Sequence, residues 1–202
     1  SIESADDVLP DLETGSLHAD IDRLVEAATP DFGSFAATAS SDDEFVRRIY
    51  LDLAGMIPTA DQTRAFRKDP SAAKREALID GLLSSPQHAR RMQYVFDEML
   101  MERRVGTDIP NADWETWLRG SFRDNKPWDQ LVTEILSADG ADEQLRPAAK
   151  FYLDRKFEID MVTRDIGRVF LGVDLECAQC HDHPSIDDYL QRHYYGLSAF
   201  LK

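Results

Sequence analysis

The sequence predicts an all-α fold, a single multi-helix domain with a Cys-x-x-Cys-His loop near its C-terminus. Three observations carry that prediction. From residue 17 onward apolar residues recur every three or four positions almost without a break. No stretch alternates apolar and polar with the period of a strand. The apolar runs also open on residues that cap helices.

Residues 1–16, polar and acidic, read as a flexible arm too poor in apolar side chains to pack. LHADIDRLVEAA then places Leu17, Ile21, Leu24 and Val25 on one stripe. Ser41 is positioned to cap the next helix and Gly55 to close it, with Phe45, Ile49 and Leu53 on one face. Thr59 opens a short helix that stops near Pro70, and Ser71 is placed to cap AAKREALIDGLL. Ser85 followed by Pro86 is a strong start signal, and Met92, Val95, Phe96 and Met99 form the predicted buried stripe of that helix. A turn from Gly106 to Pro110 leads to a helix striped by Trp114, Trp117, Leu118 and Phe122. Pro127 opens another, with Trp128, Leu131, Val132, Ile135 and Leu136 on its apolar face. Residues 138–157 are the least regular and read as a long loop. EIDMVTRDIGRVFLG is helical up to Gly172, and Pro184–Ser185 begins a last helix, IDDYLQRHYYGLSAFL. Its inward stripe is Ile186, Tyr189, Leu190, His193, Leu197 and Phe200.

The 202 residues suffice for one sizeable core, and the chain contains no run of 18 apolar residues that would cross a membrane. The opening residues lack the basic-then-apolar order of a signal peptide, as an exported protein does once its signal is removed. A net charge of −15 argues against nucleic acid, which needs clustered Lys and Arg, and suits a partner with a basic surface. Two cysteines cannot make a disulfide framework, so the fold must stand on its core.

Both cysteines lie in ECAQCHDHP, residues 176–184. Cys-x-x-Cys-His is the attachment signature of c-type haem. Two intervening residues let both sulfurs reach the two vinyl groups from one turn, and the next histidine is delivered to the iron. On that reading Cys177 and Cys180 make the thioethers and His181 is the proximal ligand. A thioredoxin-like dithiol needs a strand before the motif, and none is predicted. A zinc site would use Cys177, Cys180 and two of His181, His183 and His193; its ligand types are right, but a chain with this much apolar surface does not need such a staple.

DDEFVRRIYLDLAGMIPT, KREALIDGLLSSP, FLGVDLECAQCHDHP and DYLQRHYYGLSAFL together resemble the planctomycete-type cytochrome c domain. That family is defined by sequence in large secreted proteins, and its activity is not settled. The resemblance spans roughly residues 17 to 202. It implies export to the periplasm or a comparable compartment, a parent protein with further domains, and one covalent haem c on Cys177, Cys180 and His181. The family usually has an acidic residue where this chain has His193.

An electron carrier of this kind needs a sixth iron ligand, commonly Met or His. Met101 ranks first, because it falls off the predicted buried stripe; Met99 ranks second and His193 third. His183 is expected to contribute a hydrogen bond near the iron rather than a bond to it. Arg103 is the first candidate for a propionate, with Arg104 and Arg155 behind it. His18 and His88 read as surface residues. The expected function is one-electron transfer as a redox module with a redox partner protein. The alternatives are an open-site haem that binds a small gas or activates peroxide, and a non-haem zinc or interaction domain.

Overall fold

The computed structural model describes residues 17–102, 104, 106 and 108–201. The 1–16 arm and Arg103 therefore lie outside the described residues. Among those described, all regular structure is helical, and no helix is long and apolar enough to cross a membrane. The elements are α1 (Leu17–Ala28), α2 (Phe32–Phe35), α3 (Asp42–Ala54), α4 (Ala60–Lys68), α5 (Lys74–Leu83), α6 (Pro86–Met101), α7 (Asn111–Arg123), α8 (Trp128–Ser137), α9 (Lys150–Leu153), α10 (Ile159–Phe170) and α11 (Gln191–Ser198). Short 3-10 turns stand at Arg146–Ala149, Cys177–Gln179 and Ala199–Leu201.

The chain divides into two compact units at Ser41/Asp42. In the first, the predicted α1 stripe is largely exposed: Leu17, Ile21 and Val25 all keep more than half of their surface. The second unit, from Asp42, holds the core. Leu100, Met101, Trp114, Leu118, Leu131, Ile135, Phe151, Val162 and Ile166 form its apolar heart, where α6 pairs with α7.

Several start and stop signals act as predicted. Thr59 and Gln62 form a reciprocal capping box on α4: each side chain bonds the other residue's amide, at 3.2 and 2.8 Å. The Ser85 hydroxyl accepts the His88 amide of α6, and Gly55 and Gly172 both take positive φ where their helices end. Ser71 does not cap α5 directly; its hydroxyl accepts the Ala73 amide in a turn, and the helix begins at Lys74.

Two predictions fail instructively. The buried face of α6 is Ala89, Gln93, Leu100 and Met101, one position round from the predicted stripe, of which Met92 and Phe96 are half-buried and Val95 and Met99 exposed. Polar groups on α6 find partners on α7. Arg119 donates to the Gln93 Oε1 at 3.1 Å, and the Trp114 indole donates to the Asp97 carboxylate at 2.7 Å. Gln93 is buried at 1% exposure with its Oε1 satisfied and its Nε2 left without a partner among the described residues, and a purely apolar stripe misses it.

The second failure is the 138–157 loop. Residues 146–153 form a 3-10 turn and α9 in the middle of the core, with Ala148, Ala149, Lys150 and Phe151 buried. Three charges in this stretch, Lys150, Asp154 and Arg155, are paired inside the fold rather than solvated. Lys150 and Asp154 side chains are each 1% exposed, 2.8 Å apart, and Lys150 also donates to the Ile109 carbonyl. Arg155, fully buried, donates through Nε to Asp165 at 2.6 Å, through Nη1 to the Phe151 carbonyl and through Nη2 to the Leu100 carbonyl. One guanidinium thereby ties the C-terminus of α6 to α9 and α10. With every arm engaged internally, Arg155 is unavailable to a propionate.

Candidate haem-attachment site

Helix α10 is the platform on which the motif rests. Gly167 on α10 lets the returning chain come close: a Cβ there would stand 3.0 Å from the Val173 carbonyl and 3.3 Å from the Leu175 side chain. Leu175, Ala178 and Tyr194 then form a small second core, with Val173 and Leu197 packed against it. Two polar ties hold the same junction. The Tyr194 hydroxyl donates to Asp160 at 2.6 Å, and Arg164 pairs with Glu176, the residue before the first cysteine, at 3.2 Å.

Within the motif, Ala178 is the buried anchor, and Cys177 and Cys180 flank it as exposed free thiols. Cys177–Gln179 is a 3-10 turn, and the amides of Cys180 and His181 both donate back to the Cys177 carbonyl, at 3.2 and 3.1 Å. The His181 ring is exposed, and its Nδ1 lies 2.8 Å from the Asp182 carbonyl. A carbonyl can only accept, so Nδ1 carries a proton, and in the neutral ring Nε2 is then the nitrogen with the lone pair. That is the tautomer an Nε2 metal ligand requires. Two exposed thiols beside a histidine with one ring nitrogen free are residue types that fit covalent haem attachment.

Helix α11 closes the other side. Gln191 Nε2 donates to the Cys180 carbonyl at 2.6 Å, the Tyr195 hydroxyl donates to the Gln179 carbonyl at 3.1 Å, and the Gln191 amide donates to the Asp182 carboxylate at 2.7 Å. The last helix starts at Gln191, not at Pro184–Ser185 as predicted. Residues 183–190 instead fold back on themselves, with the His183 amide donating to the Tyr189 carbonyl.

The remaining candidates separate. His183 is half-buried, accepts the Ser185 amide on Nδ1 and stands edge-on to the Tyr189 ring; the bond that orients His181 comes from Asp182 instead. His193 is exposed, because the face of α11 that turns inward carries Tyr194, Leu197 and Ser198. Met101 is 1% exposed within the main core, so core packing accounts for it, whereas Met99 is exposed on α6. Arg104 joins Glu102 and Asp165 in an ion-pair network with Arg168. His88 is half-buried and hydrogen-bonded to the Leu53 carbonyl at 3.0 Å, so it is not a simple surface residue. Among the described residues no three His, Cys, Asp or Glu side chains are grouped to hold a metal ion.

Against known families, residues 20–202 match PSCyt2, described as a protein of unknown function (DUF1549). The chain belongs to the PSCyt2 family. No curated protein and no solved structure matches it. The family match covers the whole of the compact second unit of this PSCyt2 domain, from α3 to the end of α11, motif included.

Sequence reasoning missed Tyr194, Gln191 and Tyr195. Tyr194 is 1% exposed, and its hydroxyl is held well above the usual phenol range by burial and by the Asp160 carboxylate. A phenol raised in the folded state adds stability that is full below about pH 10, the unfolded value, and is lost as pH rises through the native value. Tyr194→Phe is expected to cost about 1.5–3 kcal/mol at neutral pH, the scale of one hydrogen bond to a charged group. Urea unfolding at pH 7 and at pH 11 checks this, with the gap between parent and variant narrowing at the higher pH.

Proposed function

We propose that this PSCyt2 domain is a mono-haem c-type cytochrome module that passes one electron at a time in an extracytoplasmic compartment. The supporting observation is the pairing of two exposed thiols with a His181 ring whose Nε2 is free. When bound, a haem c supplies a one-electron iron couple. The residues then have separate tasks. Cys177 and Cys180 would hold the group through two thioethers, each S–H adding across a vinyl double bond so that one S–H and one C=C π bond give way to one C–S and one C–H bond. His181 would offer Nε2 to the iron, with its Nδ1–H still hydrogen-bonded to the Asp182 carbonyl. Asp182 is itself held by the first amide of α11.

Exposure of the motif suits exchange of electrons with a partner protein. Asp174, Glu176, Asp182, Asp187 and Asp188 are all exposed, and no Lys or Arg occurs from 169 to 191, so the partner is one with a basic surface. Haem attachment by thiols takes place outside the cytoplasm, so on this reading the parent protein is an exported one. A second reading, an open iron that binds a small gas, is favoured by one observation: Met101, the first-ranked sixth ligand, is already used as core packing.

Expression with a haem-attachment system tests both readings. The first expects the chain mass to rise by one haem, with Cys177→Ser and Cys180→Ser each removing one thioether. Carbon monoxide that shifts the ferrous spectrum favours the open site; low-spin bands unmoved by it favour electron transfer.

A further inference from the structure

We propose that Gln191 and Tyr195 are positioning residues for the Cys177–His181 segment, holding it open to solvent before any haem is attached. The inference rests on the haem reading above, and it concerns what prepares the site rather than what occupies it.

A three-residue 3-10 turn is poor support for a precise presentation of side chains. Its hydrogen bonds are badly aligned, and the carbonyls at its end have no helical partner. Here those carbonyls belong to Gln179 and Cys180, and each is taken up by α11: Cys180 by Gln191 Nε2 at 2.6 Å, Gln179 by the Tyr195 hydroxyl at 3.1 Å. Gln191 and Tyr195 are four residues apart, so one face of one helix supplies both donors. Asp182 returns the contact, its carboxylate accepting the Gln191 amide at the positive end of α11.

The clamp acts only on the main chain. Because backbone carbonyls face α11 and Ala178 is sunk in the small core at 0% exposure, the two thiols are left outside. Tyr195 is in turn fixed by its edge-on contact with Tyr194, whose hydroxyl is anchored on α10. A segment ordered in this way needs no further conformational search when the vinyl groups arrive, so part of the entropic cost of attachment is met by the fold.

The test uses the whole chain with Gln191→Met, Tyr195→Phe and the double variant. Met keeps the length of Gln without the donor, and Phe keeps the ring. Amide hydrogen exchange at Cys180 and His181 is expected to quicken about fivefold in each single variant and about twentyfold in the double, the range for loss of one and two ordinary hydrogen bonds. Exchange in the α7 and α10 cores should stay at the parent rate, which separates a local effect from unfolding. Haem yield per chain, read by intact mass, should fall in the same order. Parent-like exchange at Cys180 and His181 in the double variant overturns the proposal. So does faster exchange with a parent-like haem yield. A parent chain that takes up no haem sinks the underlying haem reading instead, and the parent's own mass reveals that case.

Discussion

Arg155→Met is expected to cost about 3–5 kcal/mol of folding free energy, the scale for removing one partner of a buried, hydrogen-bonded charge pair. The substitution leaves the Asp165 carboxylate with a weaker set of partners and strips the Phe151 and Leu100 carbonyls of their donor. Against a typical domain stability of about 5–15 kcal/mol, such a loss leaves the chain close to unfolding. Arg155→Lys should recover little, because an ammonium cannot reach three acceptors in one plane. The double variant Arg155→Met with Asp165→Leu should recover more, since it removes the under-paired carboxylate along with its partner, and Arg104 and Arg168 keep Glu102. Urea unfolding of the four proteins gives the comparison.

The same pair predicts an acid response. Burial works to raise the Asp165 carboxyl, but the guanidinium groups of Arg155 and Arg168 outweigh it, and the net shift is downward. A carboxyl lowered in the folded state stabilises fully above its unfolded value near pH 4, and the contribution is lost as pH falls through the native value. The parent should therefore lose stability more steeply below pH 4 than the double variant does.

The second large effect is expected at Gly106. A Cβ at that position would lie 1.5 Å from Asp154 Oδ1 and 2.1 Å from its Cγ. The carboxylate cannot swing away at small cost, because it is buried against the Lys150 ammonium. Gly106→Ala should thus destabilise by about 3 kcal/mol, the upper end for overpacking, as the main chain or the ion pair is displaced. Gly81→Ala is the control. Gly81 lies inside α5 with nothing within 4 Å of its would-be Cβ, so alanine there should stabilise by about 0.5–1 kcal/mol. Thermal unfolding of the two variants should shift in opposite directions.

These two positions show where the sequence is opaque. Helix starts at Thr59 and Ser85 were legible, because a cap and its partner amide lie within three residues of each other. The all-helical class was legible for the same reason, since periodicity is local. Burial of Lys150, Asp154 and Arg155 was not, because charged residues read as solvent-facing until their partners are known, and Asp165 lies ten residues beyond Arg155. The shift of the α6 face has the same origin: Gln93 and Asp97 are matched by Arg119 and Trp114 across the helix pair. At the site, Cys177, Cys180 and His181 announce themselves by spacing alone. The residues that support them do not, since Gln191 and Tyr195 bind main-chain carbonyls and leave no pattern in the sequence. His193 was expected to face inward, but its neighbour Tyr194 takes that place once α11 starts at Gln191 and the preceding residues fold into a turn.

On the proposed reading Cys177, Cys180 and His181 carry one covalent haem. Pyridine haemochrome spectroscopy with intact mass, on protein made with a haem-attachment system, tests it most directly. The expected result is one haem per chain, retained under denaturing conditions, with the haemochrome band of two saturated vinyl groups and its loss in a Cys177→Ser, Cys180→Ser variant. A mass equal to that of the bare chain, with no Soret absorption, would contradict it.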